Sequence, residues 1–173
     1  MVTVKIPDAA IELLLDRHPV GRLATLGANG KIFQVPIVFV RYEGLLWSPV
    51  DGKPKSGGEL ARVRNVRMNP DMSLLLDAYE SDWSKLWWLR IEAKASILQQ
   101  EPGTDTQVAA VIHALRCKYP QYQDVPVLRE PPTLIAIRPT RVLSWCADPR
   151  AMLEQSPCSS ATSPGSVPIG SPD

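Results

Sequence analysis

Residues that commonly bind metals or form disulfides are scarce in this sequence of 173 residues. It contains three cysteines and two histidines, and no two cysteines have the CxxC spacing. His18 and His113 are too far apart in the chain to be interpreted as a histidine metal site. The odd number of cysteines argues against a disulfide framework and favours a reducing compartment, the cytoplasm. We therefore expect no metal site.

Other absences exclude further classes of protein. No apolar run approaches the roughly 20 residues that a membrane-spanning helix needs, and Asp8, Glu12 and Asp16 interrupt the first apolar stretch, unlike a secretory signal. The formal net charge is +1, so no overall field attracts the chain to a nucleic acid or a membrane. The sequence also has no Ser-His-Asp set, no paired catalytic carboxylates and no glycine-rich phosphate loop.

The first part of the chain has the pattern of an antiparallel meander. Strands are predicted over 20–26, 32–42 and 45–50, joined by short turns. Asn29-Gly30 is a strong hairpin signal because both residues tolerate positive φ. Pro36 lies inside the second strand and cannot donate a ladder hydrogen bond. That strand is therefore expected to have an edge, a bulge or a ligand at this point.

The remaining segments complete a small β-rich domain. Helices are predicted over 7–18, 59–68 and 104–118, and three further strands over 72–79, 86–98 and 134–145, the last bent at Pro139. Six antiparallel strands close most economically as a barrel, because closure removes exposed edges. We predict a mainly β (α+β) domain over 1–148 and a Ser/Pro-rich disordered tail over 149–173.

The segment 79–92 carries three of the five tryptophans. Trp87 and Trp88 open a predicted strand, where successive side chains point to opposite faces of the sheet. Packing of the fold requires only one of these faces, so the other indole needs a ligand, a partner subunit or a loop to cover it. The alternative is that both indoles belong to the core and that Lys53 and Lys55 upstream are simply solvated.

The order of these pieces resembles a known family. Ser-Pro-Val-Asp-Gly-Lys-Pro-Lys, Leu-Ala-Arg-Val-Arg-Asn-Val, Asp-Trp-Ser-Lys-Leu-Trp-Trp-Leu-Arg and Lys-Tyr-Pro-Gln-Tyr follow one another between residues 48 and 122. Together with the element order over about residues 10–146, they are similar to the flavin-binding split-barrel family of pyridoxamine phosphate oxidases. The likeness is to the subgroup that uses the deazaflavin coenzyme F-420. It implies a six-stranded antiparallel split barrel of Greek-key type that acts as a homodimer.

The resemblance also implies a cofactor site between two subunits. The ring edge would face the second strand at Gln34, Val35, Pro36 and Ile37. The phosphate would be held by Trp47, Ser48, Asp51, Lys53 and Lys55. The fifth strand of the partner subunit would approach with Trp87, Trp88 and Arg90. An ordinary edge-strand proline remains the alternative for Pro36, and the residues do not decide which tryptophan faces the ring.

The function implied is an oxidoreductase that uses bound coenzyme F-420 or FMN to transfer hydride to or from a small organic substrate. The choice between the two cofactors and the identity of the substrate stay open. True pyridoxamine phosphate oxidases end in an arginine-rich segment, which the Ser/Pro-rich end of this chain does not match. The alternative is a non-enzymatic flavin or haem binding protein on the same barrel. Arg62, Arg64 and Arg67 are interpreted as a solvated helix face rather than a nucleic-acid contact.

Overall fold

The structure, a computed structural model, describes residues 4–50, 59–99, 104–128 and 132–154, apart from the side chains of 153 and 154. The helices are α1 Asp8–Arg17, α2 Ala61–Met68, α3 Asp105–Lys118 and α4 Pro149–Glu154. The strands are β1 Gly21–Leu26, β2 Ile32–Ile37, β3 Val40–Tyr42, β4 Leu45–Pro49, β5 Asp71–Ala78, β6 Trp87–Gln99 and β7 Thr133–Cys146. Within these ranges, no helix has the length and apolar character needed to span a membrane.

The strands form one antiparallel sheet in the order β2-β1-β5-β6-β7-β4-β3. The strands at its two ends, β2 and β3, are consecutive in the chain and are separated only by Val38 and Phe39. One bent stretch, residues 32–42, therefore pairs with β1 through its first half and with β4 through its second half. The sheet closes on itself, so the predicted mainly β split barrel is confirmed.

The described residues contain seven strands where six were predicted, because the predicted strand 32–42 is divided at Phe39. Phe39 is fully buried, and its backbone N–H donates to the Tyr119 hydroxyl at 3.0 Å. The same hydroxyl donates its single proton to the Phe39 carbonyl oxygen at 2.7 Å, and the Pro19 carbonyl oxygen lies 3.0 Å from it. Both backbone groups of Phe39 are thus satisfied without a ladder partner, and the strand bends here.

Lys118 supports the same bend. Its ammonium donates to the Leu15 carbonyl oxygen at 3.1 Å and lies 3.9 Å from the centre of the Phe39 ring. Burial lowers the pKa of Lys118 to about 8, with Asp16 opposing the shift. Burial also raises the pKa of the neighbouring Tyr119 phenol, so the hydroxyl stays protonated and keeps its donor. Lys118 and Tyr119, which follow one another at the end of α3, therefore connect α3 to both α1 and the bend at Phe39.

The two predicted turns of the meander, at 27–31 and 43–44, are both present, but they differ from each other in geometry. At Asn29-Gly30 only Gly30 has positive φ, because the Gly30 N–H bonds the Gly27 carbonyl and the Gly27 N–H bonds the Lys31 carbonyl. This is a turn followed by a one-residue bulge rather than a two-residue loop. Glu43 and Gly44 instead have positive φ together, 49° and 74°, and form the two-residue turn between β3 and β4.

The bend predicted at Pro139 is also present, as a bulge between β6 and β7. Ala93 pairs with Pro139 and Glu92 with Arg141, which leaves Thr140 as the extra residue. The Thr140 hydroxyl donates to the Glu92 carbonyl oxygen at 2.9 Å. A residue without an N–H is thus placed where the ladder is already interrupted.

Two hydrophobic clusters form the core. The first fills the barrel and includes Leu23, Leu74, Leu89 and Ile91. The second lies under α3 and joins Val108, Val111 and Leu115 to the outer side of β4 and the first half of β7. α3 therefore covers one half of the barrel's outer surface, as its predicted apolar spacing requires.

The packed region extends past residue 148, where the sequence pattern placed the domain boundary. Residues 149–154 form α4, and the Met152 side chain, 1% exposed, belongs to the barrel cluster. The Ser/Pro-rich composition begins only after this helix, which explains the displaced boundary. Residues 155–173, the greater part of the predicted tail, lie outside the described residues.

We expect Tyr119→Phe to destabilise the fold by about 2–4 kcal/mol, because it leaves the buried N–H and carbonyl of Phe39 without a partner and each such group costs about 1–3 kcal/mol. Urea denaturation followed by circular dichroism measures this. Tyr79→Phe is the matched control, since the Tyr79 side chain is exposed. Equal stability of the two variants would contradict the role given to the Tyr119 hydroxyl.

Candidate functional site

The strand register places several predicted site residues on one outer surface of the barrel. Pro36 pairs with Arg22 of β1, and Arg22 pairs with Leu75 of β5. Leu75 pairs with Arg90 of β6, and Arg90 with Leu143 of β7. Paired residues of antiparallel strands share a face. Pro36 and Arg90 therefore lie in one row that crosses five strands.

Rows on either side extend this surface, which we call the open face. Its outward residues are Gln34 and Pro36 of β2, Arg22 and Ala24 of β1, Leu75 and Asp77 of β5, Trp88 and Arg90 of β6, and Leu143 and Trp145 of β7. The apolar members Leu75, Trp88, Leu143 and Trp145 are only half-buried, and none belongs to either core cluster. This half of the outer surface is thus an apolar sheet face that no described helix packs against as α3 does on the other half.

The structure separates the two adjacent tryptophans. Trp87 points into the barrel, is 4% exposed, and meets His18 edge-on with 5.2 Å between ring centres. Trp88 points outward, where its cross-strand neighbours are Asp77 and Trp145. Trp87 is therefore a core residue. Trp88 is half-buried on the open face, so it is the one of the two that a ligand on this face could contact.

The second predicted strand divides in the same way. Gln34 and Pro36 are exposed on the open face, whereas Ile37 is buried in the barrel cluster and Val35 packs against it. Side chains alternate along a strand, so only two of the four can meet a ligand directly. The other two can act on it only through their backbone.

Trp47 and Ser48, predicted near a phosphate, are both buried. Trp47 lies in the cluster under α3, and its indole N–H donates to the Tyr42 carbonyl oxygen at 3.1 Å, so it is a core residue. Ser48 is 1% exposed, and its hydroxyl has no hydrogen-bond partner among the described residues. A buried hydroxyl without a partner costs free energy, so Ser48 Oγ suits a ligand oxygen or a group of the following loop.

The predicted phosphate residues Asp51, Lys53 and Lys55 lie in the segment 51–58, outside the described residues. That segment begins three positions after Ser48, so the chain itself limits its distance from the buried hydroxyl. Ser48 pairs with Ile135 of the barrel cluster, so its hydroxyl points into the barrel, and the lysines of the loop are the groups that suit an anion at the surface.

Charges on the open face are largely paired. Arg22 contacts Asp77 at 2.8 Å, and Arg90 contacts Glu92 at 3.4 Å. Arg141 lies 4.0 Å from the same Glu92. Exposed pairs of this kind contribute little to stability, but they leave the face without a strong positive field. Binding of a phosphate would then depend mainly on the lysines of the 51–58 loop.

His18, which the sequence analysis considered only as a candidate metal ligand, packs against Trp87 of the barrel. His18 ends α1, and burial lowers its pKa, while Asp77 opposes the shift. Its only aromatic contact among the described residues is the edge of Trp87. No spacing motif signals this position, because its neighbours Trp87 and Asp77 are more than 50 residues away in the chain.

Sequence reasoning also missed the cross-strand partners Arg22, Leu75, Leu143 and Trp145. These come from three strands, and only the register brings them beside Trp88 and Arg90. The one available signal was Trp145, which lies next to the end of β7 as Trp88 lies next to the start of β6. A pairing of those two strands would have placed the indoles together.

The family model described as pyridoxamine 5'-phosphate oxidase matches residues 7–146, which is most of the chain and all seven described strands. The chain belongs to this family. A comparison with curated protein sequences gives no match.

Solved structures share the pyridoxamine phosphate oxidase fold at low identity. A conserved hypothetical protein of Mycobacterium tuberculosis is 20% identical with a TM-score of 0.66, covering 99% of this chain and 97% of that one. The haem storage protein HutZ of Vibrio cholerae is 17% identical with a TM-score of 0.61, covering 83% and 95%. An F-420 reductase is 22% identical with a TM-score of 0.51, covering 76% and 94%. At these identities the likeness shows the fold, which hosts more than one kind of ligand.

We expect the two tryptophans to respond differently to truncation. Trp87→Ala opens a cavity in the barrel and should cost about 3–5 kcal/mol of unfolding free energy. Trp88→Ala should cost less than that, because it removes an indole from the outer surface and leaves no cavity inside the barrel. Denaturation of both variants at one protein concentration measures the difference. Equal losses would show that Trp88 is as much a part of the core as Trp87.

Proposed function

We propose that this protein is an oxidoreductase that binds a flavin-type tricyclic cofactor, coenzyme F-420 or FMN, against the open face. The observation that carries the proposal is the half-buried Trp88 beside Trp145 on a sheet face that no described helix packs against. An apolar, aromatic surface of this kind suits a planar ring. Membership of a family that binds flavins supports the same choice of ligand.

The proposed site uses two copies of the chain. On one protomer, Pro36 and Arg90 are separated by three strand spacings, about 14 Å, so a ring at the edge of β2 does not also touch β6 of that chain. A second copy packed against the open face would bring its own Trp88 and Arg90 to the first copy's Gln34 and Pro36. We therefore propose a two-fold homodimer that buries more than about 2,000 Å² in total, as obligate dimers usually do.

The roles of the residues follow from their positions. The backbone of β2 would meet the ring edge, and Trp88 would cover a ring face. Lys53 and Lys55 of the loop after β4 would hold the phosphate, and Arg90 would lie near the ring's polar edge. The bound cofactor would supply hydride transfer, while these residues bind it, orient it and exclude water from one side. Trp47 and Trp87, both core residues, hold the strands in place and make no ligand contact in this proposal.

The direct test is the absorption spectrum of the protein purified from a host that makes flavins, coenzyme F-420 and haem. We expect a band of bound F-420 or FMN. A Soret band would instead favour the haem-binding alternative, for which the shared fold of HutZ is the supporting observation. Absence of any bound chromophore, together with failure to bind added FMN or F-420, would overturn the proposal.

Assembly gives a separate prediction. Leu75 lies at the middle of the row on the open face, so Leu75→Glu should place a charge in the proposed interface and yield monomers. Val125→Glu is the matched control, because Val125 is an exposed apolar residue outside the open face. Light scattering at micromolar concentration distinguishes the outcomes. A monomeric wild-type protein, or an unchanged dimer in the Leu75 variant, would contradict the two-chain site.

Lys55→Ala tests the phosphate assignment. It removes a charge-assisted bond worth about 1.5–3 kcal/mol, so cofactor affinity should fall roughly ten- to a hundred-fold. The loss should shrink at high salt, because screening weakens the wild-type contact. Lys5→Ala is the control, since Lys5 is an exposed lysine outside every predicted motif. If titration gives the two variants the same affinity, Lys55 is a solvated loop residue.

A further inference from the structure

The outward side of α3 carries a pair of metal-ligating side chains that the proposed function does not use. His113 and Cys117 are one helical turn apart, and both are exposed. The Cys117 Sγ lies 3.6 Å from the His113 Nε2. Residues four apart on a helix lie on one face, so this proximity is set by the backbone rather than by a loop.

The two atoms are within hydrogen-bonding distance for sulfur, and their separation is also that of two ligands on one metal. Zinc binds thiolate at about 2.3 Å and imidazole nitrogen at about 2.0–2.1 Å, and a tetrahedral angle between these bonds separates S from N by about 3.6 Å. The imidazole nitrogen that faces the sulfur is therefore placed to bind the same ion.

The surroundings keep the pair accessible. The core-facing residues of α3, Val108, Val111 and Leu115, lie on the opposite side of the helix. Cys117 is a free thiol, whereas Cys146 is buried, with its Sγ 3.8 Å from the Val4 carbonyl oxygen. Among the described residues no group of three or more potential ligands gathers here or elsewhere. Water or a further molecule must then complete the coordination.

We propose that His113 and Cys117 form an open, two-ligand site for a borderline-soft divalent metal ion such as Zn²⁺. The scarcity of histidine and cysteine that argues against a zinc framework does not exclude it, because a mixed His-Cys pair one turn apart differs from CxxC or histidine spacing. Both ligands bind in their deprotonated forms, so uptake releases protons and strengthens as pH rises.

Metal binding at this pair would also stabilise the bend of the barrel. The chelate spans the last turn of α3, which leads directly into Lys118 and Tyr119, the residues that hold Phe39. A ligand that binds only the folded chain raises its stability by mass action. Metal should therefore raise the melting temperature as well as bind.

The test is titration of the full reduced chain with Co²⁺, followed by displacement with Zn²⁺. We expect one Co²⁺ per chain, a thiolate-to-cobalt charge-transfer band that Zn²⁺ abolishes, and a rise in melting temperature with either metal. Cys117→Ser should lose the band and the thermal shift, and His113→Gln should weaken binding at least about ten-fold, since even second-shell losses cost that much. Both positions are exposed, so the variants should fold normally.

Cys158→Ser is the matched control, because it removes a cysteine outside the described residues and leaves the pair intact. It should bind Co²⁺ as the wild type does. No charge-transfer band in the wild type at sub-millimolar Co²⁺ would overturn the proposal. So would a band that survives in Cys117→Ser or disappears in Cys158→Ser, since another thiol would then be the ligand.

Discussion

The hydrogen bonds between the Tyr119 hydroxyl and the backbone of Phe39 are the constraint on which this barrel depends. A β-strand that leaves one neighbour to join another must pass through a residue with no ladder partner, and here that residue is fully buried. A buried N–H and carbonyl without partners would make the bend unfavourable. One phenol satisfies both groups, and it also lies 3.0 Å from the carbonyl oxygen of Pro19, just after α1. The Tyr119 side chain thus connects the bend that closes the sheet to the segment after α1 and to the end of α3.

One side of the barrel's outer surface is packed under α3, and no described helix packs in this way against the other side. α3 covers the side formed by β3, β4 and the start of β7, and its apolar contacts there complete the second core cluster. The side formed by β2, β1, β5 and the start of β6 keeps a half-buried apolar face, with its charges paired among themselves. Residues on the covered side, such as Trp47, are consequently structural even where a motif suggests a ligand. Residues on the open side, such as Trp88, belong to neither core cluster, so packing of the fold leaves their outer surface available to a ligand.

Much of the fold could be predicted from local signals in the sequence. The Asn29-Gly30 turn, the alternation along β6 and the apolar spacing of α3 identify several of the elements and favour an antiparallel arrangement. The division at Phe39 could not be predicted, because its cause lies 80 residues away in Tyr119 and nothing near Phe39 signals it. The candidate site was predictable by element but not by side chain. Period-two alternation shows that Trp87 and Trp88 face opposite ways, and only the closed barrel decides which way is inward.

The bend at Phe39 has a consequence for how the chain folds during synthesis. The pairs β1–β2, β3–β4 and β5–β6 are formed by strands that are close in sequence, so they can form early. The strand that completes the ring, β7, and the phenol that stabilises the bend both belong to the last third of the chain. Until they emerge from the ribosome, β4 and β6 each present an edge with unpaired backbone groups, which favours association with other chains. A nascent chain that ends before residue 119 therefore contains paired hairpins with exposed edges, and the barrel can close only after Tyr119 and β7 have been synthesised.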